Sequence, residues 1–128
     1  MTAGHDDEEH IQVTIQMAHH FLSLVTFRDD VSAEARAETE AASHRLLGSS
    51  PLVHELRVGT PVMCLNVDRE IHLVIEVSVE DAAAFESFRA ADDTRQFSEQ
   101  YLRPSAEDVI HVTYDAAASL HAGSVDSR

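Results

Sequence analysis

Hydrophobic and polar residues alternate along two separate stretches of the chain. The first covers residues 11–27, strictly at its start and less strictly toward Phe27, and the second runs from about Ile71 to Val79. Side chains of a strand point to opposite faces in turn, so this alternation predicts extended chain. Residues 11–17 are interpreted as an extra strand that precedes the domain proper.

Each alternating run leads into a segment with helix signals. Asp29-Asp30-Val31-Ser32 supplies turn and N-cap chemistry for a first helix that extends to about Leu47. Glu80 and Asp81 open a second helix with an apolar stripe, and a short third helix is predicted around residues 94–102. The pattern therefore repeats the order strand, helix, strand.

Two further strands complete the repeat, at about Val53 to Val58 and about Val109 to Tyr114. The fold class predicted is α+β, a ferredoxin-like four-stranded antiparallel sheet with helices on one face. Residues 1–18 are interpreted as an N-terminal extension, residues 19–115 as the domain, and residues 116–128 as a disordered tail.

The sheet face turned away from the helices is predicted to be unusually apolar. In a sheet with one side in water, the side chains that point to the water are normally polar. On this sheet most of the side chains that point away from the helices are apolar. We therefore expect a homodimer that buries the two sheet faces against each other. The residues expected on this face are Leu22, Leu24, Val53, Val74, Ile110, Val112 and Tyr114.

Composition narrows the range of partners. The 128 residues carry a formal charge of −14, and all nine basic residues are arginines that form no cluster in sequence. Nucleic acids and anionic membranes are therefore excluded as expected partners, because both require concentrated positive charge. A single cysteine, Cys64, and an acidic N-terminus without signal-peptide character favour a cytoplasmic protein.

Short motifs around the strands resemble those of one family. They are Thr26-Phe27-Arg28, Leu56-Arg57-Val58-Gly59, Glu76-Val77-Ser78-Val79-Glu80-Asp81 and Asp108-Val109-Ile110-His111-Val112-Thr113-Tyr114. From Phe21 to Tyr114 the chain resembles the stress-responsive α/β-barrel (Dabb) family, in which two ferredoxin-like subunits close into a dimeric barrel. The family includes stress-related proteins of unknown activity, oligomeric scaffolds and a plant polyketide cyclase, olivetolic acid cyclase.

The resemblance to that cyclase is distant, and its catalytic residues do not carry over. Thr94 stands where the cyclase has its catalytic histidine, and Phe88 where it has a tyrosine. Phe21 and Leu73 replace two further histidines of its pocket. The resemblance therefore implies a pocket between helices and sheet without implying the same mechanism.

Nine histidines are many for a chain of this length. Strand parity places His19, His54 and His111 on the face toward the helices, and the first helix directs His44 toward the same space. We expect His111 to act as general acid or base, with His44 and Glu40 assisting, because imidazole titrates near neutrality. A hydrogen-bonded packing or surface role is the competing interpretation of each histidine.

The expected pocket takes a small-molecule ligand and needs no cofactor. No glycine-rich phosphate loop occurs, and His5-Asp6-Asp7-Glu8-Glu9-His10 is interpreted as a solvated charge run, so no metal site is predicted. The residues expected to bind substrate are His19, Phe21, Thr39, Ser43, His54, Leu73, Ile75, Phe88, Thr94 and Phe97.

Two classes of function fit this sequence. The first is a cofactor-independent enzyme of specialised metabolism, with cyclase, aldol or related proton-transfer chemistry on a polyketide-like or aromatic substrate. The second is a non-catalytic dimer with a stress-related or ligand-binding role. A pocket of several hundred Å³ lined by convergent polar groups would favour the first class.

Overall fold

One antiparallel sheet organises the computed structural model, which describes residues 12–65 and 67–122. Its four strands lie in the order β2-β3-β1-β4, with the helices on one face, which confirms the predicted ferredoxin-like arrangement. The two connections that carry the helices join β1 to β2 and β3 to β4. The strands are β1 Gln12–Phe27, β2 Glu55–Gly59, β3 Leu73–Val79 and β4 Ala106–Ala122.

The helices begin where the sequence places their caps. Helix α1 (Ala33–Ala42) starts after Ser32, whose Oγ accepts a hydrogen bond from the Ala35 amide at 3.0 Å. Helix α2 (Ala82–Ala90) starts after Asp81, whose Oδ1 accepts from the Ala84 amide at 2.8 Å. Each cap satisfies one of the amides that the first turn leaves without a helical partner.

Wider helical turns follow both helical regions. Helix α1 continues through the π-helical turn Ser43–Leu47. Helix α2 is followed by α3 (Asp92–Gln96), the π-helical turn Phe97–Leu102 and the single turn α4 (Arg103–Ser105). The segment from α2 to α4 forms an almost continuous helical wall over the sheet.

Gly48 ends the first helical region at a close backbone contact. A Cβ at this position would lie 2.5 Å from the His44 carbonyl oxygen, although the φ of Gly48, −72°, is an ordinary value. We expect Gly48→Ala to lower the free energy of unfolding by about 1–3 kcal/mol, measured by urea denaturation. Gly59→Ala is the matched control, because a Cβ there meets nothing within 4 Å. Equal stability of the two variants would contradict this explanation.

The first and last strands are longer than predicted. Residues 12–17 form no separate element but continue into β1, and β4 pairs with β1 from Ala106 through to Ala122. The expectation of a disordered tail is therefore wrong for residues 116–122, which pair with β1 along one edge. Residues 123–128 lie outside the described part of the chain.

The core fills the space between the sheet and the helices. The inward residues of the central strands are almost completely buried, as the alternation predicts, and they pack against aromatic residues of the α2 to α4 segment. Val53 precedes β2 and packs against this core, so its expected place on the outward face is wrong. Central members of the core are Val25, Leu73, Ile75, Val77, Phe85, Phe88 and Phe97.

The outward face of the sheet is apolar along β1 and β4, while His20, Arg57 and Glu76 form a polar group beside that apolar part. Ile110, Val112 and Tyr114 of β4 are 40%, 43% and 39% exposed, and they are paired in register with Leu24, Leu22 and His20 of β1. The loop before β3 adds Val67, which joins Leu24 and Ile110 around a surface depression of about 420 Å³. An apolar surface of this extent is typical of an interaction site.

Candidate functional site

A cavity of about 540 Å³ opens between the sheet and the α2 to α4 segment. Its volume is in the range of sites that hold small organic molecules. Four phenylalanines and several aliphatic side chains form its walls, and polar groups come from the strands and from the helical wall. The lining residues are Phe21, Ser23, Leu47, Ile75, Val77, Phe85, Phe88, Arg89, Thr94, Arg95, Phe97, Ser98, Glu99, Leu102, Arg103, His111 and Thr113.

His111 is the histidine in this lining, and two neighbours on β1 fix its ring. Its Nδ1 lies 2.9 Å from Ser23 Oγ, a hydrogen bond between residues that are paired in register. The imidazole also stacks on Phe21, with 5.0 Å between ring centroids and an interplanar angle of 19°. The hydrogen bond and the stacking together orient the ring at the cavity wall.

Partial burial of the ring lowers the pKa of the His111 imidazole below its ordinary value, although the residue as a whole is still exposed in the single chain. Desolvation by the surrounding apolar side chains disfavours the imidazolium, so the neutral form dominates at pH 7. The charged groups that share the cavity are Arg89, Arg95, Arg103 and Glu99. A neutral imidazole beside an apolar cavity is available to accept a proton.

This pKa shift makes folding stability depend on pH. As the pH falls through about 6.5, His111 becomes protonated in the unfolded chain before it does in the folded chain. The stability that is present above this pH is therefore lost as the pH falls toward the lower pKa of the folded state. We expect NMR titration of the His111 ring to give a pKa below about 6.5. His111→Gln should flatten the corresponding part of the stability profile, and a ring pKa at or above 6.5 would contradict the desolvation argument.

Half of the residues expected to bind substrate line the cavity. Phe21 and Ile75 contribute from the sheet, while Phe88, Thr94 and Phe97 contribute from the helical wall. Leu73 is buried in the core below the cavity and does not line it. The cavity lies between helices and sheet, which is where the family resemblance implies a pocket.

The polar residues expected from the first helix do not reach the cavity. The Thr39 hydroxyl donates to the Ala35 carbonyl oxygen at 3.0 Å, and the Ser43 hydroxyl donates to the Glu40 carbonyl oxygen at 2.6 Å. Both side chains are buried, but their hydroxyls are used within the helix. Glu40 is half-buried and His44 is exposed, and neither lines the cavity. Leu47, from the π-helical turn, is the one lining residue from this helical region.

The four histidines assigned to the inward side, His19, His44, His54 and His111, do not meet in one pocket. His19 shares the inward face with His111, but its ring packs on Phe85 and its Nδ1 lies 2.7 Å from Asp115 Oδ1. His54 precedes β2 and is exposed at the far edge of the sheet. Strand parity fixes the face on which a side chain lies but not its position along the strand, and these histidines lie at different positions.

Three arginines, one carboxylate and three hydroxyl groups of the lining were not predicted from the sequence; the last four belong to Glu99, Ser23, Ser98 and Thr113. Arg89, Arg95 and Arg103 belong to three different short helices, so no periodic pattern groups them. Ser23 and Thr113 lie beside residues that parity already places on the inward face, and that signal could have identified them. The helical wall therefore carries more of the site than the first helix does.

Two further patterns can be compared with the described residues, those of metal sites and those of membrane-spanning helices. Among residues 12–65 and 67–122, no group of three histidine, cysteine or acidic side chains is arranged to hold a metal ion. The acidic and histidine-rich segment of residues 5–10 is not among the described residues. No helix in the described part of the chain is both long and apolar enough to cross a membrane.

Comparison with solved structures shows the same fold at low sequence identity. A Dabb family protein from Mesorhizobium loti is 14% identical, with a TM-score of 0.68 over 77% of this chain and 96% of that protein. The hydroxynitrile lyase of Passiflora edulis is 16% identical, with a TM-score of 0.68 over 79% of this chain and 94% of the lyase.

A third relative adds a description of its assembly. The protein from Thermobifida fusca, described as a dimeric ferredoxin-like protein of unknown function, is 14% identical, with a TM-score of 0.67 over 77% of this chain and 91% of that protein. No curated protein sequence matches the chain. The family model for the stress responsive A/B barrel domain matches residues 19–116. The chain belongs to the stress-responsive A/B barrel, or Dabb, family.

Proposed function

We propose that the protein is a cofactor-independent enzyme that moves a proton on an aromatic or polyketide-like ketone and closes a ring by an aldol step. One observation carries this proposal, the neutral imidazole of His111 held by Ser23 and Phe21 at the wall of an apolar cavity. Carbon acids of this kind need a base that is unprotonated near neutral pH, and the lowered pKa of His111 meets that need.

The proposed step uses the two ring nitrogens for different tasks. When Nδ1–H donates to Ser23 Oγ, Nε2 carries the lone pair that accepts a proton from a carbon next to a ketone. The resulting enolate attacks a second carbonyl of the same molecule, and the new alkoxide takes the proton back from the imidazolium. The phenylalanine walls give the body of a bound ketone an apolar contact surface beside the imidazole.

The active form in this proposal is a homodimer that buries the outward sheet face. The support is the apolar surface of β1 and β4 together with the described dimer of the Thermobifida fusca relative. The cavity lined by His111 lies on the helix-covered face of the sheet. A dimer formed through the outward faces therefore leaves all the lining residues of the cavity within one subunit.

Deuterium exchange tests the reaction class even while the natural substrate is unidentified. A panel of aryl ketones and aryl 1,3-diketones, with benzoylacetone as the first member, is incubated with the protein in D₂O. NMR then follows loss of the proton next to the carbonyl. We expect exchange faster than in buffer for at least one member, because His111 supplies a base that buffer lacks at the bound carbon acid.

The second candidate is a non-catalytic dimer that binds a small ligand in the same cavity. It is favoured by the lining itself, which offers one histidine, His111, and one carboxylate, Glu99, as candidate acid and base groups. If the protein binds members of the panel but their exchange rates stay at the value measured in buffer, it belongs to this second class. That result would exclude the proton-transfer function.

A further inference from the structure

The charge of the cavity is opposite to the charge of the protein. The chain holds 23 acidic residues against nine arginines, yet the cavity lining holds Arg89, Arg95 and Arg103 against one carboxylate, Glu99. One third of all basic residues therefore lines one cavity. A net negative surface repels anions at long range, so a local cationic site of this kind indicates selection for an anionic group.

These arginines are also weakly engaged by the protein. Arg89 lies 3.8 Å from Glu86 and Arg95 lies 3.9 Å from Asp92, both near the upper limit for an ion pair and both exposed. Arg103 makes no ion pair within the described part of the chain. Exposed pairs of this length contribute almost nothing, so the guanidinium groups keep their capacity to bind another anion.

Three arginines elsewhere in the chain are held more closely by carboxylates, whereas Arg36 and Arg45 contact aromatic rings instead. Arg57 pairs with Glu55 at 2.9 Å, Arg28 pairs with Asp30 at 3.2 Å, and Arg69 contacts Asp108 directly. Close carboxylate partners therefore occur on this surface, while the arginines of the cavity have, among the described residues, only the two long pairs with Glu86 and Asp92. Arg89 in addition lies over the Phe85 ring, 6.0 Å from its centroid, which places a guanidinium beside the aromatic lining.

We propose that the cavity binds an amphiphilic anion, with an aromatic or acyl body among the phenylalanines and a carboxylate or similar acidic group at Arg89, Arg95 and Arg103. This inference rests on the proposed function in taking the cavity as the substrate site, and it names the substrate class. Guanidinium groups suit oxyanions because their N–H groups match the oxygens in pairs. The apolar walls supply affinity, and the arginines supply selectivity for charge.

Two fluorescent probes of nearly equal shape test the proposal. 8-Anilinonaphthalene-1-sulfonate carries an acidic group that N-phenyl-1-naphthylamine lacks. We expect each single Arg→Gln variant to weaken sulfonate binding by roughly threefold to tenfold, and R89Q/R95Q/R103Q to weaken it by more than tenfold. The affinity for the neutral amine should stay within about twofold, and 0.5 M NaCl should reduce the preference for the sulfonate.

Control variants separate charge from folding. R36Q removes an arginine that lies over Phe27 and not in the cavity, so it should leave both affinities unchanged. R89K/R95K/R103K should retain most of the preference for the sulfonate, and thermal unfolding checks that each variant is folded. Unchanged sulfonate affinity in the triple Gln variant, or equal weakening of both probes, would overturn the proposal.

The binding result is independent of turnover. Arginine-dependent sulfonate binding without deuterium exchange would reject the enzyme function and keep the anion site. Exchange without arginine-dependent binding would reject the anion site and keep the enzyme function.

Discussion

Replacement of His111 by alanine is expected to reduce the rate of enzyme-catalysed deuterium exchange by a factor of about 10² to 10⁴, the usual contribution of a positioned general base. The imidazole accounts for this loss because His111 is the lining group that is both neutral at pH 7 and able to take a proton from carbon. Exchange rates measured by NMR at pH 7.5 give the ratio directly.

Chemical rescue separates the role of the base from a role in packing. The alanine substitution leaves space beside Phe21, so added imidazole is expected to restore part of the rate in His111→Ala. Ser23→Ala should cause a smaller loss, because it removes the group that orients the ring and not the base itself. An unchanged rate in His111→Ala would remove His111 from the mechanism.

Val112→Asp is expected to convert a dimer into a monomer at micromolar concentration. Val112 lies within the apolar outward face, paired in register with Leu22 and 43% exposed in the single chain. In a symmetric interface the substitution buries two unpaired carboxylates, and each costs about 3–5 kcal/mol. The dissociation constant should therefore rise by at least about a thousandfold.

Sedimentation equilibrium of the wild type and the variant checks this expectation. Ala83→Asp adds the same charge on an exposed position in the first turn of α2, and it should leave the dimer intact. A monomeric wild type at micromolar concentration would contradict the proposed homodimer. A dimeric Val112→Asp would show that the subunits associate elsewhere.

Most of the fold could be predicted because its signals are local. Alternation of apolar and polar residues identifies β1 and β3 as strands. Ser32 and Asp81 are N-cap residues, which predict the helices that follow these strands. The extension of β4 was missed because Ala116-Ala117-Ala118 has a low strand propensity. Its extended conformation depends on pairing with β1, which is a tertiary effect that local sequence does not show.

Less of the candidate site could be predicted, because the site depends on how far along each strand or helix a side chain lies and not only on which face it occupies. Parity placed His19 and His111 correctly on the inward face. In the register of β1 and β4, however, His19 pairs with Asp115 and His111 pairs with Ser23. The two histidines therefore lie four residues apart along the paired strands. The hydroxyls of Thr39 and Ser43 return to helix carbonyls, an alternative partner always available to these residue types. The arginines of the helical wall are brought together only by the packing of α2, α3 and α4.

The position of β1 between β3 and β4 has a consequence for folding. Pairs between β1 and β4 join residues from 79 positions apart, Phe27 with Ala106, to 110 positions apart, Gln12 with Ala122. Contacts between such distant residues slow folding, because a long loop must close before they form. During synthesis β1 leaves the ribosome first and keeps one edge unpaired until the whole of β4 has followed. The interval before β4 arrives is therefore the time at which this chain is most exposed to aggregation.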